Sequence, residues 1–187
     1  MTRTLCGAIV AATSLVMVGS ALAEGVLVDI PVTAIDSWDE FGEPTNTVLT
    51  VDVADLAGFG SGQAVVLTGI GFDLTLETFM FSWLSEAEIN LDDSVTPAGG
   101  LTLNPGDGMD FSGTMNYVQP LFKLDDADQV ALGSGLLRIE FYESFDDIPG
   151  VPDAQWNGTI TVQIDLPAPG AAGLFVLGAL GTLRRRR

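Results

Sequence analysis

Ile70-Gly71-Phe72-Asp73-Leu74-Thr75-Leu76-Glu77 decides the fold class. Four large apolar residues alternate with small, polar or acidic ones. A period of two sends one set of side chains to a core and the other to water, as in a half-buried strand. Working outward, the same period returns twice. Leu137, Ile139 and Phe141 alternate with Arg138, Glu140 and Tyr142, and Ile160, Val162 and Ile164 with Thr161, Gln163 and Asp165. Weaker strand patterns cover 26–35, 47–53, 83–91 and 111–117. Turn formers divide these stretches: the glycines of 58–62, Pro97-Ala98-Gly99-Gly100, Asn104-Pro105-Gly106-Asp107-Gly108, Pro149-Gly150 and Asn157-Gly158. Between 25 and 166 no amphipathic helix stands out, and 53–56 suits at most one short turn. The expectation is an all-β domain: eight or so antiparallel strands in two sheets, a β-sandwich of jelly-roll type. No repeat of fixed period points to a solenoid or propeller.

The two ends read as address labels around that domain. At the N-terminus Arg3 gives a charged start, 7–18 is apolar, and Ala21-Leu22-Ala23 is a small-x-small cleavage site. These are the parts of a secretory signal peptide over 1–23, with signal peptidase as the expected partner and Glu24 as the first mature residue. Cys6 leaves with it, so the mature chain carries no thiol and no disulfide. At the other end Pro167-Ala168-Pro169 stops regular structure. An uncharged apolar stretch, 170–183, follows, then Arg184-Arg185-Arg186-Arg187. Fourteen residues are short of the ~20 that span a bilayer as a helix. The arginines would hold the end at the cytoplasmic face. The division is therefore signal peptide 1–23, acidic β-sandwich ectodomain 24–165, and sorting tail 166–187 with an apolar membrane helix.

That tail resembles the PEP-CTERM sorting signal of bacterial exosortase substrates. There a Pro-Glu-Pro motif precedes a short transmembrane stretch and an arginine cluster. Pro167, Pro169 and Arg184 to Arg187 match the pattern, and Ala168 stands where the family has glutamate. The resemblance implies export, transient membrane retention, and cleavage by an exosortase-like enzyme with transfer to the cell surface or an extracellular polymer matrix. The stretch 66–162 is also similar in layout to jelly-roll ectodomains of such proteins. Ile70-Gly71-Phe72-Asp73, Ser82-Trp83-Leu84-Ser85-Glu86-Ala87, Pro105-Gly106-Asp107, Ile139-Glu140-Phe141-Tyr142-Glu143, Asp146-Asp147 and Asp153-Ala154-Gln155-Trp156 carry that similarity. It implies no catalytic residues.

Charge narrows the function classes. All 25 acidic residues lie within 24–165, opposed there only by Lys123 and Arg138, which leaves that segment a net charge of −23. Such a surface repels nucleic acid and anionic lipid, so a nucleic-acid partner is excluded. The chain has no histidine. That removes the serine–histidine and cysteine–histidine designs and the commonest zinc ligand.

The remaining candidates are carboxylates and tryptophans. Asp146, Asp147 and Asp153, beside Glu143 and around a Pro-Gly turn, offer the oxygen-rich loops that Ca2+ prefers. Asp125, Asp126 and Asp128 form a denser run without the glycine and closing glutamate of an EF-hand. Glu86 and Glu88 fall two apart on an expected strand and so share a face, a spacing that permits a glycosidase pair without specifying one. Trp83 and Trp156 are expected in the core. Trp38, in the polar loop Asp36-Ser37-Trp38-Asp39-Glu40-Phe41, is the exposed ring that could stack on a sugar.

The first expectation is an exported, non-catalytic protein of the bacterial surface or extracellular matrix. A Ca2+- or glycan-binding adhesive module, with extracellular polysaccharide as partner, is the second. A secreted carboxylate-dependent glycoside hydrolase or lyase is the third.

Overall fold

A computed structural model describes residues 25–97, 99–147 and 149–167. Ala21, Ala23, Pro169, the 170–183 stretch and Arg184 to Arg187 lie outside them, so the two address readings rest on sequence. Among the described residues no helix is long and apolar enough to cross a membrane.

The chain forms β1 (Val26–Ser37), β2 (Thr47–Asp52), the single turn α1 (Val53–Leu56), β3 (Val65–Thr78), β4 (Ala87–Asp93), β5 (Leu101–Leu103), β6 (Thr114–Lys123), β7 (Val130–Leu132), β8 (Leu136–Glu143) and β9 (Ala154–Asp165). Every strand pairing is antiparallel. One sheet runs β1-β9-β3-β6, with β7 beside β3, and the other runs β2-β8-β4-β5. The all-β expectation and its two sheets therefore hold. So does the short turn at 53–56, which Asp52 caps by accepting the Asp55 N–H at 2.9 Å.

The alternation that opens the sequence reading builds the centre of β3. Ile70, Leu74 and Leu76 are fully buried and Phe72 is half-buried. Val65 and Leu67 are buried too, out of phase with them. A bulge between Leu67 and Gly69 absorbs the difference, since one extra residue returns the following side chains to the core face. In β1 a similar shift falls between Val32 and Ile35. There Ala34 takes φ 50° and its N–H donates to Asn157 Oδ1 at 2.8 Å. Facing side chains of both sheets make one core: Ile30, Leu67, Leu74, Ile160 and Val162 from the first, Ile89, Leu91, Ile139 and Phe141 from the second. Trp156 is fully buried as expected, its ring centroid 6.3 Å from that of Phe141.

Some sequence expectations need correction. Asn157-Gly158 is not a turn: both residues lie inside β9, between Val32 and Leu74. Gly158 has φ +136°, and a Cβ there would meet the Asp73 carbonyl oxygen at 2.0 Å. The glycine marks close strand approach rather than chain reversal. Trp83 is 44% exposed, not core. The expected strand over 83–91 starts only at Ala87. Residues 83–86 instead close a turn, Glu86 N donating to the Trp83 carbonyl at 3.1 Å. That turn points Ser82 and Leu84 inward and Trp83 out.

The ends of the strands define two ends of the sandwich. Val26 pairs with Ile164, so the first and last strands of the described chain start and stop at one end. Ser37, Thr78 and Ala154 pair together at the other.

Candidate functional site: a carboxylate cluster under exposed aromatic loops

The end opposite the chain's flanking segments gathers the β1–β2, β3–β4, β5–β6 and β8–β9 loops. Backbone hydrogen bonds join them. Phe79 N donates to the Asp153 carbonyl at 2.8 Å, Asp153 N to that of Ser37 at 3.0 Å, and Glu143 N to that of Asp39 at 3.0 Å. Leu84 N donates to the Phe111 carbonyl at 3.0 Å and Ser144 N to that of Glu86 at 2.8 Å. Gly106 allows one close approach, because a Cβ there would lie 2.0 Å from the Leu84 carbonyl oxygen.

At the centre of this end is Glu143. Leu137, Ile139 and Phe141 point into the core from β8, and the next residue in that phase is Glu143, wholly buried. Ser37 Oγ donates to its Oε1, and its Oε2 has no hydrogen-bond partner. Burial pushes the Glu143 carboxyl up to about 9; the Ser37 hydroxyl opposes the rise, and the charges of Asp153, Glu86 and Asp147 add to it. Glu140 shows the alternative on the same strand. It is equally buried, but it accepts from Gly42 N at 2.7 Å, Asn46 Nδ2 at 3.0 Å and Arg138 at 2.5 Å.

Asp153 is 3% exposed, just before β9. Its carboxyl is raised to about 6, chiefly by burial, with the charges of Asp146 and Asp147 contributing to the rise. The Asp147 N–H, 3.4 Å from Asp153 Oδ2, opposes that rise. So does the Ser82 hydroxyl, which lies close but makes no well-formed hydrogen bond. Asp147 Oδ2 is itself buried without a partner. Glu86 accepts the Trp83 N–H at 2.7 Å, and its carboxyl is raised by burial and by Asp147 and Asp110. Among the described residues no positive charge is placed beside the group. Among the described residues the only basic side chains are Lys123, opposite Gly69 at the far end of β3, and Arg138, paired with Glu140. As the side chains stand, no three acidic residues among the described ones are placed to grip an ion.

Asp146 and Asp147 lie on the loop that Asp153 closes, near enough for their charges to act on the Asp153 carboxyl, but the three are not placed to hold an ion. Sequence reading gave Glu143 only as their neighbour. The signal was present: the apolar alternation of β8 ends on a glutamate where another core residue belongs. Glu86 and Glu88 do not form a pair on one strand face. Glu86 precedes β4, whereas Glu88, within it, accepts from the Tyr142 hydroxyl at 2.5 Å and Asn104 Nδ2 at 3.3 Å. Asp125, Asp126 and Asp128 are exposed, on the turn before β7. Asp128 borders an open cleft of about 660 Å³ shared with Asp92, Asp93 and Thr96. There Asp93 accepts from Thr96 N and Oγ1 at 3.2 and 2.6 Å, contacts that hold its carboxyl below the usual range.

Around the cluster, large apolar side chains face water. Phe81 is 74% exposed, Phe145 57% and Phe111 51%, alongside Trp83. Trp38 is half-buried just after β1. The exposed rings of this end are therefore mainly phenylalanines that the sequence reading did not single out.

No family model matches the chain, and no curated protein matches it. Among solved structures, the virus-like particle of the extra small virus of the prawn Macrobrachium rosenbergii is similar at 11% identity and TM-score 0.29, over 90% of this chain and 96% of that one. Cocksfoot mottle virus matches at 12% and 0.31, over 89% and 98%. Tobacco streak virus coat protein matches at 13% and 0.31, over 77% and 88%. Likenesses this distant carry no inference about what the chain does; the strand pairing itself defines the sheets.

Proposed function

We propose that this chain is an exported, non-catalytic display domain of the bacterial surface or extracellular matrix, processed at its C-terminal sorting tail. The observation that carries the reading is the polarity of the sandwich. β1 begins and β9 ends at the Val26–Ile164 end, and the exposed aromatic loops lie at the opposite end. A domain held by its tail would present those loops outward. The strand order β1-β9-β3-β6 beside β2-β8-β4-β5 supports a jelly-roll assignment, with eight strands wound as two Greek keys and β7 added at one side. The separate engagement of Glu86 and Glu88 supports a non-catalytic role over a carboxylate-dependent hydrolase.

Deleting 168–187 tests the reading. Fractionation should find the full chain in the membrane and surface fractions and the truncated chain released into the medium. Cytoplasmic protein that keeps residues 1–23 would refute it.

A second reading, a polysaccharide-binding module, is favoured by Phe81, Trp83, Phe111 and Phe145. Aromatic faces stack on sugar rings, and the acidic rim offers acceptors to hydroxyl groups while repelling anionic polymers. Trp83→Ala should then abolish retention on the polysaccharide bound. Retention unchanged by Trp83→Ala and Phe145→Ala would remove these rings from the role.

A further inference from the structure

We propose that the cleft between β5 and β7 binds a small aliphatic amine, a short alkyl chain carrying ammonium groups. The inference stands independently of where the protein is sorted. β5 is the last strand of one sheet, and β7 lies beside β3 in the other. The end of β4 and the turn before β7 complete a cleft of about 660 Å³. That volume falls within the roughly 300–1,000 Å³ of small-molecule sites. The cleft stands open, so no segment has to move for a ligand to enter.

Asp93 makes it more than a gap between two strand edges. It follows Ala87, Ile89 and Leu91 in the inward phase of β4, lines the cleft, and is only 5% exposed. Thr96 Oγ1 and N donate to its Oδ2 and hold the carboxyl below its usual range, while Oδ1 is buried without a partner. A core position thus carries a full negative charge. Buried charges are normally paired, yet no basic side chain lines this cleft. Asp92 and Asp128 line it as well. Walls of one charge sign and low dielectric focus their field on whatever enters.

The rest of the lining selects the kind of cation. Its side-chain donors are turned to other partners: Thr96 to Asp93, and Gln129 Nε2 to Asp126 at 3.3 Å. The ligand must therefore donate. Leu101, Val130 and Ala131 add an apolar wall, along which a methylene chain lies favourably while its charged end meets the acids. A bare metal ion would leave that wall unused, and among the described residues no three acidic side chains are placed to hold one. A neutral polyol would leave the charge of Asp93 unanswered.

Calorimetric titration of the full chain with putrescine, beside 1,4-butanediol as its uncharged counterpart, tests the site. In about 0.15 M NaCl, exposed charges more than ~8 Å apart are largely screened. Putrescine should saturate a single site, and butanediol should not bind. Asp128→Asn, at the exposed rim, should weaken putrescine about tenfold, the cost of one charge-assisted contact. Asp93→Asn should weaken it at least as much, and Asp128→Asn carries the test should that buried variant fail to fold. Asp73→Asn removes the same charge from an exposed position of β3 outside the cleft and should bind as the parent does. No binding of putrescine, equal binding of butanediol, full binding after Asp128→Asn or a folded Asp93→Asn, or an equal loss on Asp73→Asn would each overturn the proposal.

Discussion

Glu143 is a core position occupied by an acid, and its cost is set by pH. Its carboxyl stands at about 9 in the fold against an ordinary 4.5. Between those values the folded chain holds a proton that the unfolded chain has released. Stability therefore falls as pH rises from about 4.5 to about 9. Asp153, at about 6 against 3.8, adds to the same slope at its lower end. In EDTA the melting midpoint should drop between pH 5 and pH 9, and Glu143→Gln should flatten much of that decline. A midpoint that rises over this range would contradict the burial argument. Gly158 is the other decisive residue. Its φ of +136° and the Asp73 oxygen at 2.0 Å leave no room for a side chain, so Gly158→Ala should cost about 2–3 kcal/mol in denaturant unfolding. Asn157→Ala should cost less, since it gives up mainly the hydrogen bond from Ala34.

At the scale of elements, the legible strands were the long ones with one face in the core. Ile70 to Glu77, Leu137 to Tyr142 and Ile160 to Asp165 carry enough alternation to reveal β3, β8 and β9. These include the central strands of both sheets, since β3 pairs with β6, β7 and β9. The two three-residue strands, β5 and β7, are too short for any period to emerge. The bulges in β1 and β3 hide in the sequence because a phase change looks like noise until the partner strand is known. Trp83 was misplaced because a turn and a strand can both send alternate residues inward over four positions. The same short range concealed the carboxylate cluster, whose members come from four segments and whose central acid looked like the polar end of a strand. Phe141 on β8 and Trp156 on β9 meet across the two sheets. Phe141→Ala, which empties the contact with Trp156, should cost about 3–5 kcal/mol. A loss below about 1 kcal/mol would mean the core closes around the cavity.

The whole molecule combines a strongly acidic surface with two ends of different character. A net charge of −23 over 24–165 makes self-repulsion a global term. Raising ionic strength from about 0.01 M to about 0.15 M shortens the screening length from ~30 to ~8 Å. The midpoint in EDTA should therefore climb with NaCl. The two ends matter more for function. At one β1 begins and β9 ends, and the other carries Phe81, Trp83, Phe111 and Phe145 above the carboxylate cluster.

Display of that second end is the central claim, and single-cysteine labelling reaches it directly. With Cys6 replaced by serine the chain has no other thiol, so Phe81→Cys places one reporter at the loop end. In intact cells a membrane-impermeant maleimide should label it fully, with no increase on lysis. Labelling that appears only after lysis would contradict the account.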